Sequence, residues 1–230
     1  NAQRALKHAF DPENLLNPGK IIPPPEDNNS NRKSGKPQLS EQAGSVCGIG
    51  KGALETAEKI KTAVLHNRAV MPVGSQTFRQ FGNLPSKNTA FLSSLSMAEV
   101  VEYDSPNQVI TIGAGLSLSA LQEQLQENNQ WLPVRPPFFS AGSTVGSLVA
   151  LNASGPERMV YGAPRDLLLG LRYIDANGLM IKAGGSVVKN VAGYDMTRLM
   201  TGSAGTLGFI TEATWRVSTI PERCAVVKAA

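Results

Sequence analysis

Beyond residue 50, helical and strand patterns of apolar residues alternate along the chain. A helical period predicts an amphipathic helix that ends near Asn67. Its apolar positions are Leu54, Ala57, Ile60, Val64 and Leu65. Apolar runs predict short strands at 70–73, 100–103, 109–113, 167–174 and 179–182. The last two strands flank Asn177-Gly178, a dipeptide typical of a β-hairpin turn.

Two further helices are predicted in the middle of the chain. Ser119 stands three residues before Gln122, the spacing of a capping box, and predicts a helix that reaches Leu125. The run from 144 to 152 is small and apolar, and it predicts a tightly packed helix. Together with the strands, these helices favour a mixed α+β domain.

The segment from 193 to 211 combines a predicted helix, a turn and a strand. The helix has its apolar positions at Met196, Leu199 and Met200. Asp195 fits its N-cap, and Gly202 can end it in a left-handed conformation. The strand alternates, with one face formed by Phe209, Thr211, Ala213, Trp215 and Val217. On spacing alone, a turn whose amides face a ligand and a turn that needs glycine only for its geometry explain the segment equally well.

Composition narrows the classes of partner. The chain has 230 residues and a net charge of +4, without a basic block, which argues against nucleic acid as the main partner. Cys47 and Cys224 are far apart, so neither a disulfide framework nor a metal or iron–sulfur site is indicated. No apolar run is long enough to span a bilayer, and a reducing, cytoplasmic setting is expected. The first residue is Asn1 rather than Met, so we expect the protein to start elsewhere.

Two glycine-led loops are candidate binding sites. Gly74-Ser75-Gln76-Thr77 directly follows a predicted strand, and its successive amides and hydroxyls suit phosphate oxygens, although a plain surface turn fits as well. The loop has no Walker lysine, which disfavours nucleotide hydrolysis. The second loop, 141–147, and the segment 152–155 lie on either side of an apolar run. Their small residues permit either a flat ligand or close helix packing.

Two other chemistries are disfavoured. Gly113-Ala114-Gly115 follows a strand, but Leu118 stands where a dinucleotide fingerprint needs its third glycine. His8 and His66 are the only histidines, and neither is near a glycine loop, so a local Ser-His or Cys-His pair has no support. His66 fits a helix end, where a cation complements the dipole.

Taken in order, the motifs resemble one family. From about residue 50 to Pro221, the chain resembles the FAD-binding domain of the vanillyl-alcohol oxidase and p-cresol methylhydroxylase (PCMH) superfamily, and within it the E subunit of bacterial glycolate oxidases. The motifs that carry the resemblance are Gly74-Ser75, Pro136-Pro137, 144–146, 153–156, Tyr161-Gly162, 189–195 and 202–208. Several motifs in this order are more selective than any single glycine loop.

The resemblance implies an α+β, two-subdomain, PCMH-type fold that grips FAD between its halves. The loop 74–78 would hold the pyrophosphate, segments 141–147 and 152–155 would line the pyrophosphate and flavin, and Ile210 would lie near the adenine side. The implied cofactor-binding residues are Gly74, Ser75, Gln76, Thr77, Phe78, Gly142, Ser143, Thr144, Gly146, Ser147, Asn152, Ser154, Gly155 and Ile210. These loops contain no histidine, so the FAD is expected to be non-covalent, and no catalytic or metal-binding residue is assigned.

The implied function is the FAD-binding portion of a 2-hydroxyacid (glycolate) dehydrogenase complex. Its implied partners are a D-type flavoprotein subunit, an iron–sulfur subunit and a small 2-hydroxyacid, with membrane association only through those subunits. The alternatives are another superfamily member, such as a D-lactate dehydrogenase or a sugar-alcohol oxidase, and a non-catalytic assembly module that keeps the fold.

The first segment carries a second resemblance. Phe10-Asp11-Pro12 and Asn17-Pro18-Gly19-Lys20 resemble the C-terminal end of the glycolate oxidase D subunit or of D-lactate dehydrogenases. After Pro23-Pro24-Pro25 the chain is polar through Ser45, which predicts a linker. The predicted organisation is a tail of a preceding FAD-linked oxidase domain, a linker, an FAD-binding domain and a truncated C-terminal region, at 1–22, 23–45, 46–221 and 222–230.

Overall fold

The computed structural model describes residues 2–16, 51–78, 81–83, 85, 88–185, 194–223 and 225. The predicted linker 23–45, both cysteines and most of the motif 189–195 lie outside the described residues. The helices are α1 (Ala2–Phe10), α2 (Lys51–Leu65), α3 (Leu118–Gln126), α4 (Val145–Leu151), α5 (Arg158–Tyr161), α6 (Pro164–Leu167) and α7 (Met196–Met200), with a 3₁₀ turn at Phe139–Ala141. The strands are β1 (Ala69–Val73), β2 (Thr89–Ser93), β3 (Val100–Asp104), β4 (Val109–Gly113), β5 (Gln130–Trp131), β6 (Leu168–Ile174), β7 (Met180–Gly184), β8 (Phe209–Arg216) and β9 (Ser218–Thr219).

A five-stranded antiparallel sheet forms the larger half, in the order β3-β4-β8-β6-β7. The β6–β7 hairpin turns at Asn177-Gly178, as predicted. Strand β8 pairs with β4 on one side and β6 on the other, with Ala213 opposite both Ile112 and Leu171. The main hydrophobic core packs this sheet against α3 and α4.

The predicted strand is confirmed as β8, and the residues of its predicted face are all buried, namely Phe209, Thr211, Ala213, Trp215 and Val217. Ile210 and Glu212 of the opposite face are buried as well. A central strand has neighbours on both edges, and here both of its faces are covered, so period 2 does not separate core from solvent.

The smaller half consists of α2 and the parallel pair β1–β2, joined by a second hydrophobic core. Helix α2 confirms the predicted element, but two of its leucines do not face the core. Leu54 is 51% exposed and Leu65 is 84% exposed. The buried positions are Ala53, Thr56, Ala57, Ile60 and Ala63. This face is mostly alanine, and small side chains allow the helix to approach β1 closely.

The start of α3 also differs from the prediction. The N-cap is Ser117, whose Oγ accepts a hydrogen bond from the Ala120 amide at 3.2 Å, so the capping box at Ser119 is wrong. The side chain of Gln122 donates to the Leu132 carbonyl at 2.5 Å and accepts from the Leu132 amide at 3.2 Å. A bridge between Ser117 and Thr144 fixes where the helix begins, and a tertiary contact of this kind is invisible in local sequence.

Two other helices have ends that agree with the sequence. Helix α4 follows the N-cap Thr144, which forms a full capping box, and Asn152 is its C-cap. Asp195 caps α7 by accepting a hydrogen bond from the Arg198 amide at 3.0 Å. Gly202, with φ of +84°, follows this helix in the left-handed conformation that was predicted.

Close packing explains the glycines after β4. A Cβ added at Gly113 would overlap the Met97 carbonyl, and one at Gly115 would overlap the Ser94 carbonyl. Both glycines therefore bring two backbones together, which agrees with the argument against a dinucleotide fingerprint. Among the described helices, none is long and apolar enough to cross a membrane.

Candidate functional site

An open cleft lies between the two halves of the molecule. One wall is β1 with the loop that follows it, and the opposite wall is α4 with the turn that leads into β8. Nine of the predicted cofactor-binding residues line this cleft, namely Gly74, Ser75, Gln76, Thr77, Phe78, Thr144, Gly146, Ser147 and Ile210. The fold thus brings together segments that are about 70 to 140 positions apart in the chain.

The loop 74–78 has backbone donors to spare. Within the described part of the chain, no hydrogen bond is formed by the amides of Ser75, Gln76 or Thr77. Gln76 has a positive φ of +63°. A change in the sign of φ between neighbouring residues turns successive amides toward one concavity. A loop with unpaired amides at the edge of a cleft can bind the oxygens of an anion.

Gly74 is held against the opposite wall. A Cβ at this position would lie 2.5 Å from Thr144 Oγ1 and 3.1 Å from Thr144 Cγ2. Thr144 is a buried, β-branched N-cap whose χ1 is restricted, so it cannot easily move away. The close approach of loop and helix therefore requires glycine at position 74.

The second loop, 141–147, differs from the first because its amides are already paired. Those of Val145 and Gly146 donate to the carbonyls of Leu116 and Ala114, at 2.9 and 2.8 Å. The Thr144 and Ser147 amides donate to each other's side chains, at 3.1 and 3.3 Å. The start of α4 is therefore a packed junction with β4 and α3, and its amides are not available to an anion.

Five predicted residues lie outside the lining of this cleft. The hydroxyl of fully buried Ser143 donates to the Phe138 carbonyl at 3.0 Å and lies 3.5 Å from Thr77 Oγ1. Ser154 donates to the Asn152 carbonyl at 3.4 Å. A Cβ at Gly155 would overlap the Arg135 carbonyl, whereas one at Gly142 would meet nothing within 4 Å.

Sequence motifs did not single out the apolar walls of the cleft. They include Met71, Pro72 and Val73 of β1, Ala150 and Leu151 of α4, and the aromatic residues Phe81, Phe91 and Phe209. Phe81 and Phe91 are each 50% exposed, and Phe78 packs edge-to-face on Phe138 with 5.2 Å between ring centroids. Apolar walls around a few polar groups are typical of a small-molecule site. One sequence feature could have indicated the wall at β1, because this strand leads directly into the glycine loop 74–78.

The turn after α7 completes the opposite wall. Ala204 and Gly205 line the cleft with φ of +50° and +71°, and Gly208 lines it just before β8. Hydrogen bonds from the amides of Gly202 and Ala204 to Val149 and Ala150 carbonyls, at 2.9 and 2.7 Å, attach this turn to α4. Gly205 and Gly208 thus belong to a turn that packs on α4 and lines the cleft, which supports the geometric explanation of these glycines. Contact between the amides of this turn and a ligand stays a prediction.

The charged groups of the described residues lie outside the cleft. The lining residues of the described chain include no Asp, Glu, Lys, Arg or His. Burial raises the pKa of the Glu212 carboxyl on the large sheet. Its Oε2 lies 3.3 Å from Arg172 Nε. Among the described residues, no group of three His, Cys, Asp or Glu side chains could hold a metal ion. The groups that the cleft offers are therefore amides, hydroxyls and apolar surface.

Comparison with known families shows to which family the chain belongs. The family described as "FAD binding domain" matches residues 52–184. The chain belongs to this family. FAD is the cofactor of this domain, and the α+β, PCMH-type fold implied by the sequence is confirmed.

Similar proteins extend the comparison. The chain is 42% identical over 118 residues to glycolate oxidase subunit GlcE of Escherichia coli, a match that covers 51% of this chain and 34% of that protein. It is 34% identical to glycolate oxidase subunit GlcD of Bacillus subtilis, over 68% of this chain and 33% of that protein. It is 36% identical to a D-lactate dehydrogenase of Archaeoglobus fulgidus, over 66% of this chain and 34% of that protein.

The same fold occurs in a solved structure of alkyldihydroxyacetonephosphate synthase. The TM-score is 0.62 at 25% identity, over 74% of this chain and 33% of that one. The chain spans about a third of the length of the curated relatives it matches. The expected likeness to glycolate oxidase E subunits is confirmed over that part.

Proposed function

We propose that this chain is the FAD-binding portion of an enzyme that oxidises the CH–OH group of a 2-hydroxyacid, with glycolate as the first candidate. The relatives named as glycolate oxidase subunits and D-lactate dehydrogenase support this substrate class. The observation that carries the proposal is the set of unpaired amides at Ser75, Gln76 and Thr77 beside a cleft with apolar walls. Such a cleft suits a molecule with a charged pyrophosphate and flat rings.

The parts of the cleft take different roles in this proposal. The loop 74–78 holds the pyrophosphate through its amides and hydroxyls. Thr144, Gly146 and Ser147 form the facing wall at the start of α4, with their amides already paired, and Ile210 contacts the adenine side. Ser143 supports Thr77 from behind, since its hydroxyl lies 3.5 Å away. The assignment of Gly142, Asn152, Ser154 and Gly155 to the cofactor stays a prediction.

When bound, FAD supplies the two-electron oxidation of the substrate. The described residues of this chain bind the cofactor, orient it and exclude water with apolar walls. We assign the catalytic base to none of them. Neither His8 nor His66 lines the cleft, so we propose that the FAD is held without a covalent bond.

Two relatives are named as subunits of glycolate oxidase, which supports action in a complex. We propose that the chain acts in a cytoplasmic complex with a D-type flavoprotein and an iron–sulfur subunit, which associates with the membrane only through those subunits. A D-lactate dehydrogenase is the second candidate, favoured by 36% identity to the Archaeoglobus protein.

The first experiment tests cofactor binding. The purified full chain is freed of flavin and titrated with FAD and, as a matched control, with riboflavin, which has the same ring but no pyrophosphate. We expect FAD to bind at least about tenfold more tightly, a difference of about 1.4 kcal/mol. Protein that binds neither flavin contradicts the proposed function. Equal affinity for both contradicts the role of the loop 74–78.

The second experiment tests the substrate. The FAD-loaded complex, assembled with its partner subunits, is assayed with glycolate and D-lactate and an artificial electron acceptor. A higher kcat/KM for glycolate supports the first candidate, and a higher value for D-lactate supports the second. Absence of turnover with both, in a complex that holds FAD, favours an assembly module.

A further inference from the structure

The N-terminal segment 2–16 packs on the rest of the described chain and contains a buried ion pair. Lys7 is 8% exposed and Asp11 is 1% exposed, and the two side chains contact each other one helical turn apart. The Asp11 carboxylate also accepts hydrogen bonds from the Leu15 and Leu16 amides, at 2.9 and 2.8 Å. Buried charges of this kind are retained only where partners surround them.

Lys7 reaches from this segment to one wall of the cleft. Its ammonium donates to the Thr206 carbonyl at 2.6 Å and to the Leu16 carbonyl at 2.6 Å. Thr206 lies in the turn whose Ala204, Gly205 and Gly208 line the cleft. One buried cation thus holds the backbone of that turn.

The end of the same segment is fixed to the other wall. The Val70 amide donates to the Leu15 carbonyl at 2.5 Å, and Leu16 pairs with Val70 in parallel. Leu16 is fully buried in the core of the smaller half. The next residues of β1, from Met71 to Val73, line the cleft. The segment therefore contacts both walls, and Lys7 and Asp11 connect the two contacts.

We propose that the segment 2–16 is a clamp that sets the spacing of the two cleft walls, with Lys7 as a positioning residue for FAD. This inference rests on the proposed function for its effect on the cofactor. A tail that only added buried surface would need apolar residues alone. Here a cation bridges Thr206 and Leu16, so removing it takes away one of the links between the two walls.

The test compares Lys7→Met with Lys59→Met in the full chain. Lys59 forms an exposed pair with Glu55, also one turn apart, at 2.7 Å on α2. We expect Lys7→Met to raise the Kd for FAD about tenfold, within the roughly 5- to 150-fold typical of coupled sites, and Lys59→Met to leave it unchanged. Because Lys7→Met alone leaves Asp11 buried without its cation, Lys7→Met with Asp11→Asn is measured beside it. A folded variant with the wild-type Kd overturns the proposal.

Hydrogen exchange of the flavin-free protein separates the clamp from general destabilisation. We expect faster exchange at the Ala204 amide of the far wall, with unchanged exchange at the Leu121 amide of α3, which donates to the Ser117 carbonyl at 3.0 Å. Equal acceleration at both sites would mean that Lys7 only stabilises the fold. In the wild type, rapid exchange at the Val70 amide contradicts the clamp even if no variant folds. If wild-type protein binds no FAD, the proposed function fails, while this exchange pattern still decides the clamp.

Discussion

The two glycine-led loops look alike in sequence but differ in what their backbones do. The amides of Ser75, Gln76 and Thr77 form no hydrogen bond within the described chain, whereas those of the loop 141–147 are paired with neighbouring carbonyls or with each other's side chains. A free amide can bind a ligand, and a paired amide stabilises the fold. The comparison teaches that small residues in a loop indicate where two backbones approach closely. They do not indicate whether the loop binds a ligand or packs against the fold.

The largest effect is expected from the framework of the second loop. Leu148 is fully buried on α4, and Leu148→Ala should destabilise the protein by about 2–5 kcal/mol, because it leaves a cavity in the main core. Urea unfolding measures the loss. Leu54→Ala is the matched control: it removes a half-exposed leucine from α2 and should cost less than about 0.5 kcal/mol. Equal losses of stability in the two variants would contradict the observed difference in burial between Leu148 and Leu54.

The next effect concerns the first loop and appears in affinity. Gly74→Ala places a Cβ 2.5 Å from Thr144 Oγ1, which forces the loop or the N-cap to move. We expect FAD binding to weaken about 10- to 100-fold, or about 1.4–2.7 kcal/mol, measured by flavin titration. Gly185→Ala adds a Cβ that meets nothing within 4 Å and should leave the affinity unchanged. If Gly74→Ala binds FAD with wild-type affinity, the proposed role of the loop 74–78 in binding FAD is wrong.

The third effect, from Ser143, appears in stability more than in the affinity for FAD. Ser143→Ala removes the hydroxyl that donates to the Phe138 carbonyl at 3.0 Å, with an expected loss of about 1 kcal/mol of stability. Thermal and urea unfolding measure it. The affinity for FAD should change less than in Gly74→Ala, since Ser143 does not line the cleft. A larger loss of affinity than of stability would place Ser143 among the groups that bind the cofactor.

The smallest effect comes from a cap outside both loops. Asp195→Ala should cost about 0.5–1 kcal/mol at pH 7, because α7 loses its N-cap. The hydrogen bond from Thr197 lowers the pKa of Asp195, so its contribution is present above the ordinary aspartate pKa and is lost as the pH falls through the folded value. Urea unfolding at pH 7 and pH 3.5 should therefore show a smaller difference from wild type at the lower pH. A difference that does not shrink contradicts the role of the carboxylate.

Sequence predicted elements well where a local cause sets them. The helix predicted over 144–152, the dipeptide Asn177-Gly178 and the N-cap Asp195 all lie where the structure has them. It failed at Ser119, since the true N-cap Ser117 is fixed by its bridge to Thr144. The prediction that Leu54 and Leu65 belong to the buried face of α2 also failed. A helical period indicates the apolar face of a helix but not how much of that face the neighbouring elements cover.

The candidate site was half predictable for the same reason. Motif order identified the family, and with it FAD and nine residues that line the cleft. The apolar walls at Met71, Phe91 and Phe209 carry no motif, and they become a surface only when β1 and β8 face each other. Sequence alone thus determined the elements, the fold family and the cofactor, since these follow from local periods and ordered motifs. Tertiary structure alone decided which amides remain free and that Lys7 joins the two walls, because both depend on which distant carbonyls come within hydrogen-bonding distance.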